Sequence, residues 1–340
     1  MSIPYRTRQV IKQIFLVLLV IVLVLALLGV GFFIWLRRFV IYTRDGAFIR
    51  TNLPPMATGW SEVTVPELGD IEILYKEYGE EDDPQASTEL TQLIGYYADT
   101  EALQDMEAVR TQAALLEEGT AVMLDVKDAK GRFYYPSALN SERVSAIDAG
   151  QMEALIRQLD DQGLYLIARL PALRDYHFGL TQTQNGLFVS SGQYLWADDD
   201  YCYWLDPTKE GTQMYLVQIV NELKALGFDE VVFEEFRFPD TDNLKFSRDR
   251  GEALTEAAEI LMASCATDTF AVSFVGGAAG FKSPAGRGRL YITGAVAADA
   301  ARIAAESGVA DPKINLVFLT EFHDTRFNDY SVLRPIESAE

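Results

Sequence analysis

Cysteine and histidine are scarce: 340 residues hold two of each, with the thiols at Cys202 and Cys265. No Cys-x-x-Cys or Cys/His spacing occurs, so neither a zinc motif nor a dithiol redox motif is present, and no metal or organic cofactor is implied. The two distant thiols read as buried and separate, with a disulfide between them as the alternative. Positive charge is short as well, since 29 Lys and Arg face 50 Asp and Glu for a formal net charge of −21. Such a chain lacks the basic surface that nucleic acid or anionic lipid requires, which excludes nucleic acid as a partner. Also missing are a Gly-x-Gly-x-x-Gly after the first strand and a Gly-Lys-Ser/Thr loop, so the nucleotide-binding folds lack their phosphate cradle.

Apolar residues, in contrast, make up 49% of the chain, which excludes a disordered protein. Residues 14–36 contain no charge and, at about 1.5 Å per residue, reach roughly 35 Å, enough to cross a bilayer as a helix. A cleaved signal would have a shorter apolar core and a small-residue cleavage site, so an uncleaved transmembrane anchor is expected, preceded by a tail at 1–13. Basic residues flank both sides (Arg6, Arg8 and Lys12 before; Arg37, Arg38, Arg44 and Arg50 after), so charge does not set the orientation. The large part after a short tail fits an extracytoplasmic domain, with 37–90 as a stalk or spacer.

From residue 91 to 336 strands and helices alternate. Strands are expected at 93–98, 120–126, 164–170, 229–238, 270–275, 289–293 and 314–320, and helices at 100–118, 148–162, 209–226, 248–264 and 295–307. That alternation means an α/β fold with a parallel sheet. Charged residues close several different strands, which suits the mouth of a (β/α)8 TIM-type barrel better than an open sheet. The eighth strand is not evident. The segment 332–336 is short, so the barrel is expected to be incomplete or completed from the 60–90 region.

The strand ends supply the candidate site. Asp125 and Lys127 share strand parity and could pair, either as a binding element or as a strand-end ion pair. Arg169 is placed to bind a ligand carboxylate or hydroxyl, or to organise the carboxylates. Glu234, Glu235 and Arg237 close the strand at 229–238. Glu321 and His323 close a later one. The loop at 171–206 carries Trp196, Tyr201, Tyr203 and Trp204 among Asp198, Asp199 and Asp200. Rings and carboxylates crowded together suit carbohydrate, while a loop packed down by its own aromatics is the alternative. Asp206 is expected to cap the helix that follows.

Four ordered motifs carry a resemblance: Ala121-Val-Met-Leu-Asp-Val-Lys-Asp128, Tyr165-Leu-Ile-Ala-Arg-Leu170, Trp196 with Trp204-Leu-Asp-Pro207, and Gly227-Phe-Asp-Glu-Val-Val-Phe-Glu-Glu-Phe-Arg-Phe-Pro239. Over about 93–325 the chain resembles a bacterial family of glycoside-hydrolase-like proteins, secreted or membrane-anchored (β/α)8 barrels distantly similar to α-amylase-type enzymes. Leu316-Val-Phe-Leu-Thr-Glu-Phe-His323 is a weaker counterpart of the family's Pro-Met-x-Tyr-Pro-Ser-His strand end. Where the family commonly has Phe-Asp-Tyr-x-Arg-Phe-Pro, this chain has Phe233-Glu-Glu-Phe-Arg-Phe-Pro239.

The resemblance implies glycoside hydrolysis, which needs two carboxylates. Glu234 is the candidate nucleophile or base and Glu321 the candidate acid, because Glu234 and Glu235 point to opposite faces of an ideal strand. Asp125, Lys127, Arg169, Trp196, Trp204, Glu235, Arg237 and His323 are the candidate substrate-binding residues. The expected partner is a polysaccharide or cell-wall glycan. A non-catalytic glycan-binding or envelope scaffold protein is the alternative reading.

Overall fold

Eight short, largely apolar runs form parallel strands, and most are buried on both faces, as a parallel sheet demands. The computed structural model describes residues 40–43, 46–49, 89–139 and 147–338. The chain divides into two units, Met1–Tyr75 and Lys76–Glu340. In the first, β1 (Val40–Thr43) and β2 (Gly46–Ile49) pair as an antiparallel hairpin. The predicted tail at 1–13 and membrane span at 14–36 lie outside the described residues, as does most of the predicted spacer. Among the described residues no helix is long and apolar enough to cross a membrane.

The second unit is a closed barrel of β3 (Ile94–Ala98), β4 (Ala121–Asp125), β5 (Tyr165–Pro171), β6 (Glu230–Glu234), β7 (Ala271–Val275), β8 (Leu290–Thr293), β9 (Leu316–Leu319) and β10 (Ser331–Pro335). β10 pairs in parallel with both β9 and β3. The barrel is therefore complete. The segment that looked too short is its eighth strand. A run of five residues carries little periodicity, so only pairing on both sides reveals it as a strand.

The helices are α1 (Met106–Ala113), α2 (Ala149–Asp161), α3 (Tyr176–Thr181), α4 (Glu210–Ala225), α5 (Arg250–Cys265), α6 (Ala300–Glu306) and α7 (Pro312–Asn315). In α2 the spacing of Met152, Leu155, Ile156 and Leu159 buries one stripe, and the Asp148 carboxylate caps the first turn by accepting from Gln151 N–H over 2.9 Å. Gly227 ends α4 with φ 97°, a left-handed conformation that glycine adopts without steric cost.

Some boundaries differ from the sequence expectation for local reasons. The predicted helix at 100–118 is split, because Asp105 leaves helical geometry to cap α1. The strand expected over 229–238 stops at Glu234, where Glu235 takes φ 49° and turns the chain out of the ladder. The strand expected from 314 begins at Leu316, because Asp311 and Pro312 start α7. The expected cap at Asp206 is also corrected. The N-cap of α4 is Lys209, and Asp206 instead accepts from Thr208 N–H and Oγ1 in the approaching turn.

Inside the barrel, Ala121, Met123, Ile167, Val232, Tyr291, Val317, Leu319 and Leu333 form the core. Leu316 and Phe318 face the opposite way, onto Ala300 and Ala304 of α6. This alternation fixes the odd-numbered residues of β4, β5 and β9 as inward-facing. Below the core, at the amino ends of the strands, Glu230 is fully buried and ion-paired to Arg289. Its carboxylate also accepts from Tyr165 over 3.0 Å and Tyr291 over 2.8 Å. Cys202 and Cys265 are both buried and free.

Candidate functional site

The parity that fills the core also determines what reaches the barrel mouth. One step beyond Met123, Ile167 and Val232 on the same face come Asp125, Arg169 and Glu234. Asp125 and Arg169 are register partners across β4 and β5, and Pro171 and Glu234 across β5 and β6. Arg169 Nε donates to Asp125 Oδ1 over 2.6 Å. The other Asp125 oxygen accepts from Thr100 N–H over 2.8 Å and Thr100 Oγ1 over 3.0 Å, and Thr100 in turn meets Tyr134 Oη at 3.0 Å. Both Asp125 oxygens are thus committed.

Electrostatics tie the mouth together. Burial pushes the Glu234 carboxyl above its ordinary range; Arg169 pulls it back, while Asp125 and Glu235 push it up further. For Arg169 burial works against the charge, but Asp125, then Glu234 and Asp99, outweigh it and hold the guanidinium more firmly protonated than usual. Burial raises the Tyr97 phenol, Asp99 and Glu321 add to that, and Arg169 opposes it. The Arg169 guanidinium also lies 5.8 Å from the Tyr97 ring centroid.

A cavity of about 610 Å³ opens at this end of the barrel, lined among others by Tyr97, Asp99, Arg169, Thr320 and Glu321, with Arg326 and Asp324 paired at its rim. Thr320 Oγ1 is buried and, among the described residues, makes no hydrogen bond. Glu321 is exposed, as is the neighbouring His323. Tyr97, Asp99 and Thr320 were missed from sequence. Asp99 directly follows a strand, so the strand-end rule that found Asp125 and Glu234 would have found it too.

Other expected residues are placed differently. Lys127 does not pair with Asp125. It forms an ion pair with Asp175 at 2.9 Å, with both side chains 0% exposed, and donates to Pro171 O over 3.0 Å. Asp175 is further held by Tyr215 Oη and caps α3, so this charge pair braces the loop. Glu235 and Arg237 pair with each other at 2.7 Å beyond the strand, and the Arg237 guanidinium lies 4.8 Å from the Trp204 ring centroid.

Trp196 and Trp204 are 5% and 3% exposed and meet edge to face at 6.4 Å, so neither offers an open face for a sugar ring to stack on. Trp204 Nε1 donates to Asp198 Oδ2 over 3.1 Å. Burial disfavours charge on Asp198, but hydrogen bonds from Arg174, Cys202 N–H and Trp204 together hold its carboxyl below the usual range. The 171–206 loop is therefore packed down by its own aromatics and braced by ion pairs.

The mouth offers desolvated Glu234, exposed Glu321, a fixed Asp125–Arg169 pair and a cavity large enough for sugar units. Glycoside hydrolysis uses two carboxyl groups. Among the described residues no group of three or more His, Cys, Asp or Glu could hold a metal ion.

A family model described as "Putative glycosyl hydrolase domain" matches residues 96–269. No curated protein matches the chain. Among solved structures, a hypothetical protein from Ruminiclostridium thermocellum ATCC 27405 is similar at 21% identity and TM-score 0.45, over 53% of this chain and 96% of that one. A variant of the GH36 α-galactosidase AgaA from Geobacillus stearothermophilus, in complex with raffinose, is similar at 12% identity and TM-score 0.51, over 74% of this chain. The match spans 40% of that α-galactosidase, and the likeness is one of fold.

Proposed function

Because the chain belongs to the family of the putative glycosyl hydrolase domain, we propose that the barrel mouth hydrolyses a glycosidic bond of a polysaccharide, with Glu234 as proton donor. The desolvated Glu234 carboxyl carries this reading. A carboxyl whose affinity for its proton is raised by burial is suited to protonate a leaving glycosidic oxygen. This reverses the roles expected from sequence. Glu321, exposed where it lines the cavity beside Arg169, is the partner that activates water for attack on the anomeric carbon. Arg169 orients the charges: it ties down Asp125 and tempers the rise at Glu234.

The charge-free run at 14–36 supports a membrane anchor, with the barrel on the extracytoplasmic side acting on a cell-surface or environmental polysaccharide. Glycan binding without turnover is a second reading, favoured by the exposure of Glu321. A catalytic constellation is held to within about 0.5 Å of its productive geometry, and an exposed side chain is not so held.

Release of reducing ends from a panel of soluble polysaccharides tests the choice. The hydrolase reading predicts turnover that falls on the order of 10²-fold in Glu234→Gln while binding persists. Binding with no turnover in the unaltered protein would leave the second reading.

A further inference from the structure

We infer that the groove between α3 and α4 is a second glycan-binding site, which takes a neutral polysaccharide strand independently of the barrel mouth. The groove encloses about 540 Å³ and is lined by Gln182, Gln184, Asn185 and Gln218, with Phe178 and Met214 as its apolar part and Glu210 as its only charged group.

Asn185 points to a ligand. The residue is 7% exposed. Its backbone is fully used, with the N–H donating to Gln182 O and the carbonyl accepting from Asp206 N–H and Thr212 Oγ1. No hydrogen bond to its side-chain amide is found among the described residues. The residue is buried but its amide atoms are not wholly so, and they stay open to solvent at the groove wall, where a ligand's polar groups can take the place of water. The chain makes room for it, since a Cβ on Gly211 would lie 2.4 Å from Asn185 Nδ2. Gln184 Nε2 donates to Gln182 Oε1 over 2.9 Å, which aligns two more amides beside it.

The chemistry selects the ligand. Each amide donates and accepts at once, as a sugar hydroxyl does, so a row of them matches a row of hydroxyls. Met214, 54% exposed, and Phe178, stacked on Tyr215 at 4.0 Å, supply a surface for the C–H face of a ring. Anionic glycans are disfavoured by Glu210 and by the net charge of −21. Peptide recognition uses a free sheet edge or deep apolar pockets, and this groove is walled by helices and amides.

Affinity electrophoresis of the full-length protein in a polyoxyethylene detergent, through gels containing galactomannan, mixed-linkage β-glucan or polygalacturonate, tests the site. Retardation is expected from a neutral polymer and not from polygalacturonate. Asn185→Ala and Gly211→Ala should weaken it on the order of tenfold, the size of one or two lost hydrogen bonds. Glu234→Gln should leave it unchanged. Where Asn185→Ala fails to fold, the exposed Gln218→Ala carries the same expectation. Equal retardation of the groove variants and the parent would overturn the inference, as would no retardation by either neutral polymer or retardation by polygalacturonate alone. The inference does not rest on hydrolysis at the mouth, so an inert Glu234 would leave it standing.

Discussion

Asp125 and Arg169 stand opposite each other in the β4–β5 register, and Arg169 Nε donates to Asp125 Oδ1 over 2.6 Å. Their side chains are 14% and 13% exposed, so each charge depends on the other. Arg169→Met should cost roughly 3 kcal/mol, as losing one partner of a buried pair does. In a double-mutant cycle with Asp125→Ala, measured by urea unfolding, the combined loss should fall well short of the sum of the single losses.

The same pair tunes Glu234. Burial raises its pKa, Arg169 lowers it and Asp125 raises it. If Glu234 donates the proton, activity is present while it is protonated and declines as pH rises through its raised pKa. Asp125→Asn should therefore move the alkaline limb of kcat/KM to lower pH, and Arg169→Met should move it to higher pH. A limb that stays put in both variants assigns it to another group.

At the opposite end of the barrel, burial pushes Asp229 from its ordinary 3.8 up to about 6, although Leu166 N–H hydrogen-bonds the carboxylate. The folded state thus holds this proton more tightly than the unfolded chain. That contribution to stability is full below about 3.8 and is lost as pH rises through about 6. Asp229→Asn keeps an acceptor for Leu166 N–H without the charge. Thermal melts should show it more stable than the parent above pH 6 and level with it near pH 4.

Trp196 should act through packing. Its ring is buried against Trp204, so Trp196→Ala should cost about 3–5 kcal/mol. Calorimetry should register that loss directly. A variant of undiminished stability that lost only sugar affinity would show the ring to be a binding platform instead.

The alternation of strand and helix made the barrel legible, because each strand is an apolar run and each long helix keeps a buried stripe. The eighth strand was not legible, since Ser331–Pro335 is short and gains its identity from neighbours far away in sequence. The charged strand ends Asp125, Arg169 and Glu234 were visible in sequence, and the structure sets Asp125 opposite Arg169 in the β4–β5 register and Glu234 opposite Pro171 in the β5–β6 register. Parity failed at Lys127, beyond the end of β4, where the chain is no longer in the ladder and Asp175 from a distant loop claims the ammonium. The aromatic content of the 171–206 loop was visible in sequence, but whether its rings face outward or inward depends on tertiary contacts. The Glu230–Arg289 pair left no sequence signal, because its partners come from strands far apart in the chain.

Delivery of a proton from Glu234 to the leaving group is read most directly from leaving-group dependence. Rates of the parent and Glu234→Gln would be compared on aryl glycosides of one sugar whose phenols run from strongly to weakly acidic. A poor leaving group needs the proton and a good one does not. Proton donation by Glu234 predicts a loss on the order of 10²–10⁴-fold for the least acidic phenol, shrinking toward none for the most acidic. An equal loss across the whole series would contradict it and would make Glu234 a nucleophile or a purely structural carboxylate.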